Sequence, residues 1–359
     1  MAYGNTPPGW SGWAPPPPPK PGVIPLRPLD LNELLGGTFA TIGRYWKPLF
    51  GIVAAVYLAA TALLSAVAVI LYRQVEESAD ALIALEGRDP VWDDFRPLVT
   101  ALTVFGAAGV VVMLLTTALV SAVCQSALQD AVLGRRTTAG TVWGRAWARF
   151  PAVLGTVVLT GLLYLIPVGL FMTAYVSLLI TLATDSGGTV ALLLVTVIAG
   201  LIAIPLCTWL WVRFSLSPAV AVFERQGAVA SMRRSAKLVG GSWWRVLGIT
   251  LLAGVIAGTA GYVIQMPLSF MTMVPGVVDT SELGSEPTFS QIVSALSGVV
   301  ILLVLGQLIS QILITVFPQL VVGMLYIDQR IRRENLAPAL AEAAGPQPPG
   351  PVRPGPSGA

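Results

Sequence analysis

The sequence predicts an all-α protein that crosses a membrane six times. Its helices pair in three hairpins, each preceded by a short amphipathic helix lying at the cytoplasmic membrane surface. Three observations carry that expectation. Of the 359 residues, 55% are hydrophobic and 11% are charged, against roughly 25% charged in a soluble domain. A soluble chain this apolar could not cover its own surface with polar groups. Six apolar runs, at about residues 48–72, 98–124, 152–183, 190–212, 246–271 and 292–326, reach the ~20 residues that a helix needs to span hydrocarbon. Finally, a basic helix followed by an aromatic and an apolar run recurs three times. The length would also suit two soluble domains, but six long apolar runs make one membrane bundle the simpler account.

Residues 1–28 lack the basic start and apolar core of a secretory leader. They are rich in proline, glycine and tryptophan instead, and Pro15–Pro19 are confined to an extended polyproline conformation. Residues 338–359, including the proline-rich stretch Pro346–Ala359, read the same way. Both tails are expected to be disordered and cytoplasmic, serving either as solvated tethers or as docking peptides for a protein partner with an aromatic-lined groove. The membrane domain is expected over residues 29–337.

The first unit starts at Asp30, where Glu33 three residues later makes a capping box. Leu31, Leu34, Leu35, Phe39, Ile42 and Trp46 share one helical face, and the chain turns into the membrane near Pro48. A polar stretch, Arg73–Arg96, leads to the second span. The second unit, Arg135–Phe150, puts Trp143, Trp147 and Phe150 on one face and Arg145 and Arg149 on another. Two spans follow, joined by the short turn Asp185–Gly188, whose glycines suit a tight reversal.

The third unit is the most distinct. Over Ala228–Gly248, Val229, Met232, Ala236 and Val239 share one helical side, while Arg233 and Lys237 share another. Gly240 and Gly241 end that helix, Trp243 and Trp244 form a hinge, and the fifth span begins at Val246. Arg145, Arg149, Arg233, Arg234, Lys237, Trp243 and Trp244 are the candidate lipid-facing residues, because basic and tryptophan side chains settle at the headgroup level. An acidic loop with Asp279, Glu282 and Glu286 precedes the last span.

Charge sorts these segments into two sides. One side holds the tails and the 126–151 and 213–245 loops, with 18 of the 21 Lys and Arg residues. The other holds 11 of the 18 acidic residues, and Arg73, Arg88 and Arg96 as its basic ones. By the positive-inside rule the Arg-rich side is cytoplasmic, with both termini inside a bacterial plasma membrane.

No ionisable residue other than cysteine or tyrosine falls near the middle of a span. This argues against a proton-coupled pump, an intramembrane aspartyl protease and a metal-dependent enzyme. Histidine is absent, which removes the commonest general base and metal ligand. Cys124 and Cys207 have no CxxC spacing and read as packing residues. No cofactor, metal or nucleic acid is expected. Thr116, Thr117, Gln265, Gln307 and Gln311 remain as polar groups in the spans, read as hydrogen bonds between helices or as a lining for a polar path. Pro167, Pro205, Pro267 and Pro318 can each bend a span. Gly254 and Gly258 form a GxxxG read as close packing within the chain, with dimerisation as the alternative.

The repeat can be written as an alignment. Trp46, Phe150 and Trp243 each precede by five residues the glycines Gly51, Gly155 and Gly248, which are 104 and 93 residues apart. Asp130, Glu224 and Asp328 close the even-numbered spans at spacings of 94 and 104. Three related units suggest pseudo-threefold packing. The three acids are expected to pair with arginines such as Arg145 and Arg234, since a carboxylate at the edge of lipid is better held beside a guanidinium. The alternative is a cation site formed by the three carboxylates together.

The segments Arg213–Glu224, Ser231–Ser235, Gly241–Gly248 and Leu325–Glu334 resemble the membrane domain of glycerophosphoryl diester phosphodiesterases. The likeness covers roughly residues 25–337 and is strongest to stand-alone, actinobacterial-type members with proline-rich tails. It implies a polytopic domain that, in fused members, anchors a separate catalytic barrel. That barrel requires histidines and metal-binding acids, so no active-site residue carries over and a non-enzymatic protein is expected. Two functions follow as expectations. One is a scaffold or anchor engaging anionic lipid headgroups and partner proteins at the cytoplasmic face; the other is a transporter or lipid-handling carrier.

Overall fold

The computed structural model describes Val23 and residues 27–83, 91–135, 137–183, 189–271 and 289–334. Most of both proline-rich tails, the Asp185–Gly188 turn and the loop bearing Asp279, Glu282 and Glu286 lie outside the described residues. Eight helices make up the described chain: α1 (Leu31–Ile83), α2 (Trp92–Val132), α3 (Ala139–Ala183), α4 (Thr189–Phe214), α5 (Ser217–Phe223), α6 (Ala228–Val239), α7 (Trp243–Met271) and α8 (Phe289–Glu334). Helices α1, α2, α3, α4, α7 and α8 are each long and apolar enough to cross a membrane.

Helix α1 packs on α2, α3 on α4 and α7 on α8, and α8 returns to pack on both α1 and α2. The outward faces are apolar: Ile70, Ile166, Leu201 and Ile204 are exposed. Such a surface is costly in water and is covered by lipid without penalty. Threonine and serine hydroxyls within the spans mostly accept their own helix as partner. Thr160, Thr173, Ser177 and Thr208 each donate to the carbonyl four residues back, which gives these hydroxyl protons an acceptor in hydrocarbon.

Helix α1 begins as its sequence requires. The Asp30 N–H donates to Glu33 Oε2 at 3.1 Å, and Arg27 bridges Glu33 at 2.6 Å. The expected junction between surface helix and span is a bend at Tyr45, where φ is −117° and ψ 20°. Pro48 explains it. Its ring lacks an N–H for the Arg44 carbonyl and crowds that carbonyl. In the second unit the surface helix runs into the span without a break, through Pro151. Only in the third is it a separate helix, α6. The Arg73–Arg96 stretch is helical at both ends, α1 continuing to Ile83 and α2 starting at Trp92.

The glycine pattern is not where the sequence placed it. A Cβ on Gly254 or Gly258 would meet nothing, so that GxxxG faces away from the bundle. The packed stripe of α7 lies one residue earlier, on Ala253 and Ala257, and continues at Gly261, where a Cβ would strike Ile314 of α8. The spacing is the same in both sets, so small residues alone did not reveal which face meets α8. A second close approach joins α2 and α8: a Cβ on Gly323 would collide with Gln125 and Leu128, and Gln125 Nε2 donates to the Gln319 carbonyl at 2.8 Å.

The largest fully buried side chains include Leu29, Leu34, Leu49, Leu128, Leu216, Leu320, Met324 and Tyr326. All lie toward one end of the bundle, where α2, α5 and α8 finish and α1, α3, α6 and α7 begin. That end is packed like a soluble core and carries the buried carboxylates Asp130 and Asp328.

Candidate functional site

The charged end forms a rim built around Asp130, Glu224 and Asp328, which stand at or near the ends of α2, α5 and α8. Asp130, at the end of α2, receives two hydrogen bonds from Arg145 of α3, one of 3.0 Å from Nη1 and one of 2.5 Å from Nη2. This two-pronged geometry suits a planar guanidinium facing a planar carboxylate. Next to it, Tyr45 of α1 donates its hydroxyl to the Arg135 carbonyl at 2.7 Å.

Glu224 follows α5. Arg234 Nε of α6 reaches both of its oxygens, at 3.1 and 3.2 Å. The Tyr326 hydroxyl donates to Oε1 at 2.9 Å and Gln226 Nε2 donates to Oε2 at 3.0 Å. Arg234 also bridges Glu334. Burial works against its charge, but its hydrogen bonds to the two carboxylates and their negative charges outweigh that and raise its pKa above the ordinary arginine value.

Asp328 of α8 is wholly buried. Arg332, one turn on, donates to Oδ1 at 2.8 Å, and Arg245 of α7 donates to Oδ2 at 3.1 Å. The Leu29 N–H donates to Oδ1 at 2.9 Å, while both arginines donate to the Leu29 carbonyl at 2.8 Å. The start of the first unit is thereby fastened to the end of the third. Asp130 grips the surface helix of the second unit and Glu224 that of the third, so each acid holds the unit that follows it, and Asp328 closes the circuit.

Sequence reasoning named Arg145 and Arg234 as partners. Arg245, Arg332 and Leu29 were missed. Among the described residues no group of three or more His, Cys, Asp or Glu is placed to hold a metal ion, and each of the three carboxylates is engaged by its own arginines. Both cysteines are free thiols.

The other candidates separate into inward and outward residues. Trp243 turns onto the core and Trp244 is 79% exposed, their rings edge to face at 4.7 Å. They are the first residues of α7 rather than a hinge. The hinge is Gly241, whose φ of +83° favours glycine. Arg333 of α8 donates to the Lys237 carbonyl at 3.0 Å and to the Gly240 carbonyl, closing the open end of α6. Trp143, Trp147 and Phe150 stack in sequence at 5.7 and 5.4 Å. Arg149 reaches the Arg225 carbonyl at 3.5 Å, and Arg233 and Lys237 are exposed.

Helix α6 is rotated from the expected face. Met232 and Val239 are buried, but Val229 is 54% exposed and the buried side is completed by Ser231, Ser235 and Leu238. The cause is the small hydroxyls. Ser235 Oγ donates to the Arg213 carbonyl at 2.9 Å, drawing α6 against the end of α4, where a carbonyl would otherwise lack a partner.

Two adjoining cavities lie among the helices, the first reaching the rim. One, of about 770 Å³, lies between α1, α2 and the start of α3, with Lys47, Trp143 and Trp147 at its edge. The second, of about 440 Å³, lies between α1, α2 and α8, and Thr116, Thr117, Gln307 and Gln311 line it with Tyr57. Ala60, Val112 and Thr116 line both. Gln265 lies elsewhere, accepting from Ser310 at 3.4 Å.

Fold and rim together define a six-span helical membrane protein. No protein-family model, curated protein or solved structure matches the chain.

Proposed function

We propose that the protein is a non-enzymatic membrane scaffold, its rim at the cytoplasmic face of a bacterial plasma membrane, where it gathers anionic lipids and a partner held by the proline-rich tails. One observation carries this reading: the rim's basic residues divide into two sets. Arg145, Arg234, Arg245 and Arg332 are consumed by Asp130, Glu224 and Asp328. Lys47, Arg149, Arg213, Arg233 and Lys237 have no carboxylate partner among the described residues, and they lie on or beside the surface helices. Unpaired bases at that depth attract anionic headgroups at about 1 kcal/mol each. The resemblance to phosphodiesterase membrane domains supports an anchoring role and brings no catalytic residue.

A second reading, a lipid-handling carrier, is favoured by the adjoining 770 and 440 Å³ cavities and the amide and hydroxyl lining of the deeper one. Purified protein in liposomes separates the two. The scaffold predicts no transfer of fluorescent phospholipid between leaflets and recovery of a partner by a peptide of residues 1–28. Transfer that Gln311→Leu abolishes would replace the scaffold by the carrier. Accessibility of tagged termini only from outside intact cells would refute the orientation.

A further inference from the structure

A third cleft, of about 480 Å³, lies where α6 rests over the α3 and α4 hairpin. Leu159, Leu162, Leu163 and Met232 wall it, and Arg213 and Arg233 are its charged residues. It is the counterpart of the cleft under the second surface helix. A shift of 93 carries Ala139, Gly140 and Trp143 onto Met232, Arg233 and Ala236; shifts of 104 and 94 carry Ala59 onto Leu163 and Leu119 onto Arg213. All of these residues line their respective clefts. At the remaining joint the same register brings Phe39 and Phe317 to the two flanking positions, and their rings touch at 5.1 Å. The repeat therefore makes a cleft at two joints and plugs it with aromatics at the third.

The Arg213 and Arg233 cleft has what an anionic amphiphile requires. Its walls are hydrocarbon, and its lip residues Leu162 and Val229 are exposed to what surrounds the spans. Neither arginine has a carboxylate partner among the described residues, and Glu224, the acid closing this unit, is occupied by Arg234, Tyr326 and Gln226. Trp209 lies against the Arg213 guanidinium at 4.7 Å. Stacking of this kind covers the face of the group and leaves its N–H edge available to a phosphate. Ser235 ties α6 to the Arg213 carbonyl, so the two arginines are carried by elements already joined.

We propose that this cleft holds one phospholipid of the surrounding leaflet, its anionic headgroup between Arg213 and Arg233 and an acyl chain along Leu159, Leu162 and Leu163. This rests on the reading of the rim as a lipid-engaging surface and names the site within it. The test is native mass spectrometry of the full-length protein in detergent, titrated with phosphatidylglycerol or phosphatidylcholine of matched chains. The wild type retains one phosphatidylglycerol in preference to phosphatidylcholine. The double variant Arg213→Gln, Arg233→Gln lowers that preference about tenfold or more, Lys237→Gln leaves it unchanged, and Leu163→Trp lowers retention of both lipids. Should Lys237→Gln reduce the preference as much as the double variant, it belongs to the basic surface at large; the cleft is then overturned while the broader reading stands. A wild type without any preference overturns both.

Discussion

Asp130 and Asp328 end equivalent helices of the first and third units, yet their surroundings differ sharply. Asp130 pairs with the Arg145 guanidinium, whose side chain remains 37% exposed. Asp328 is fully buried and receives two guanidinia and a backbone N–H. The difference follows from chain order. Units one and two are each followed by a covalently linked surface helix, which the chain itself brings to the acid. The acid of unit three instead engages the beginning of α1, far away in sequence, and more bonds hold that junction.

Removing each acid sharpens this contrast, with folding measured by denaturant titration in mixed micelles. Asp328→Ala strands two guanidinia and the Leu29 N–H in a buried site and is expected to cost about 3–5 kcal/mol. A cost no larger than that of the Asp130 variant would break the comparison. Asp130→Ala leaves an arginine that can turn to water or headgroups, and about 1–2 kcal/mol is expected. Glu224→Gln should cost the least, about 1 kcal/mol or below. Gln keeps an acceptor for the Tyr326 hydroxyl, and Arg234 keeps Glu334. Unchanged stability with loss of a bound cation would instead place a cation site at the rim.

The spans were legible because hydrocarbon imposes a long, uninterrupted apolar run that few other structures need. Arg145 and Arg234 were legible as partners because they lie 15 and 10 residues beyond their acids, on the next helix. The Leu29 junction was not, since a main-chain N–H leaves no mark in the side-chain pattern and its partner is 299 residues away. Small residues misled in α7: Gly254 and Gly258 advertise close packing, but the stripe of Ala253, Ala257 and Gly261 provides it. In α6 the serines went unread. A serine counts as polar in a periodicity, whereas here Ser231 and Ser235 are wholly buried, and Ser235 binds an exposed helix end.

The clasp between Leu29 and Asp328 has a consequence for biosynthesis. The segment at Leu29 stays unfastened while the helices between it and α8 are made and inserted, and it locks only when α8 arrives. A nascent or truncated product that stops short of Asp328 exposes that loose beginning to membrane proteases. Arrival of α8 is in this way registered at the start of α1.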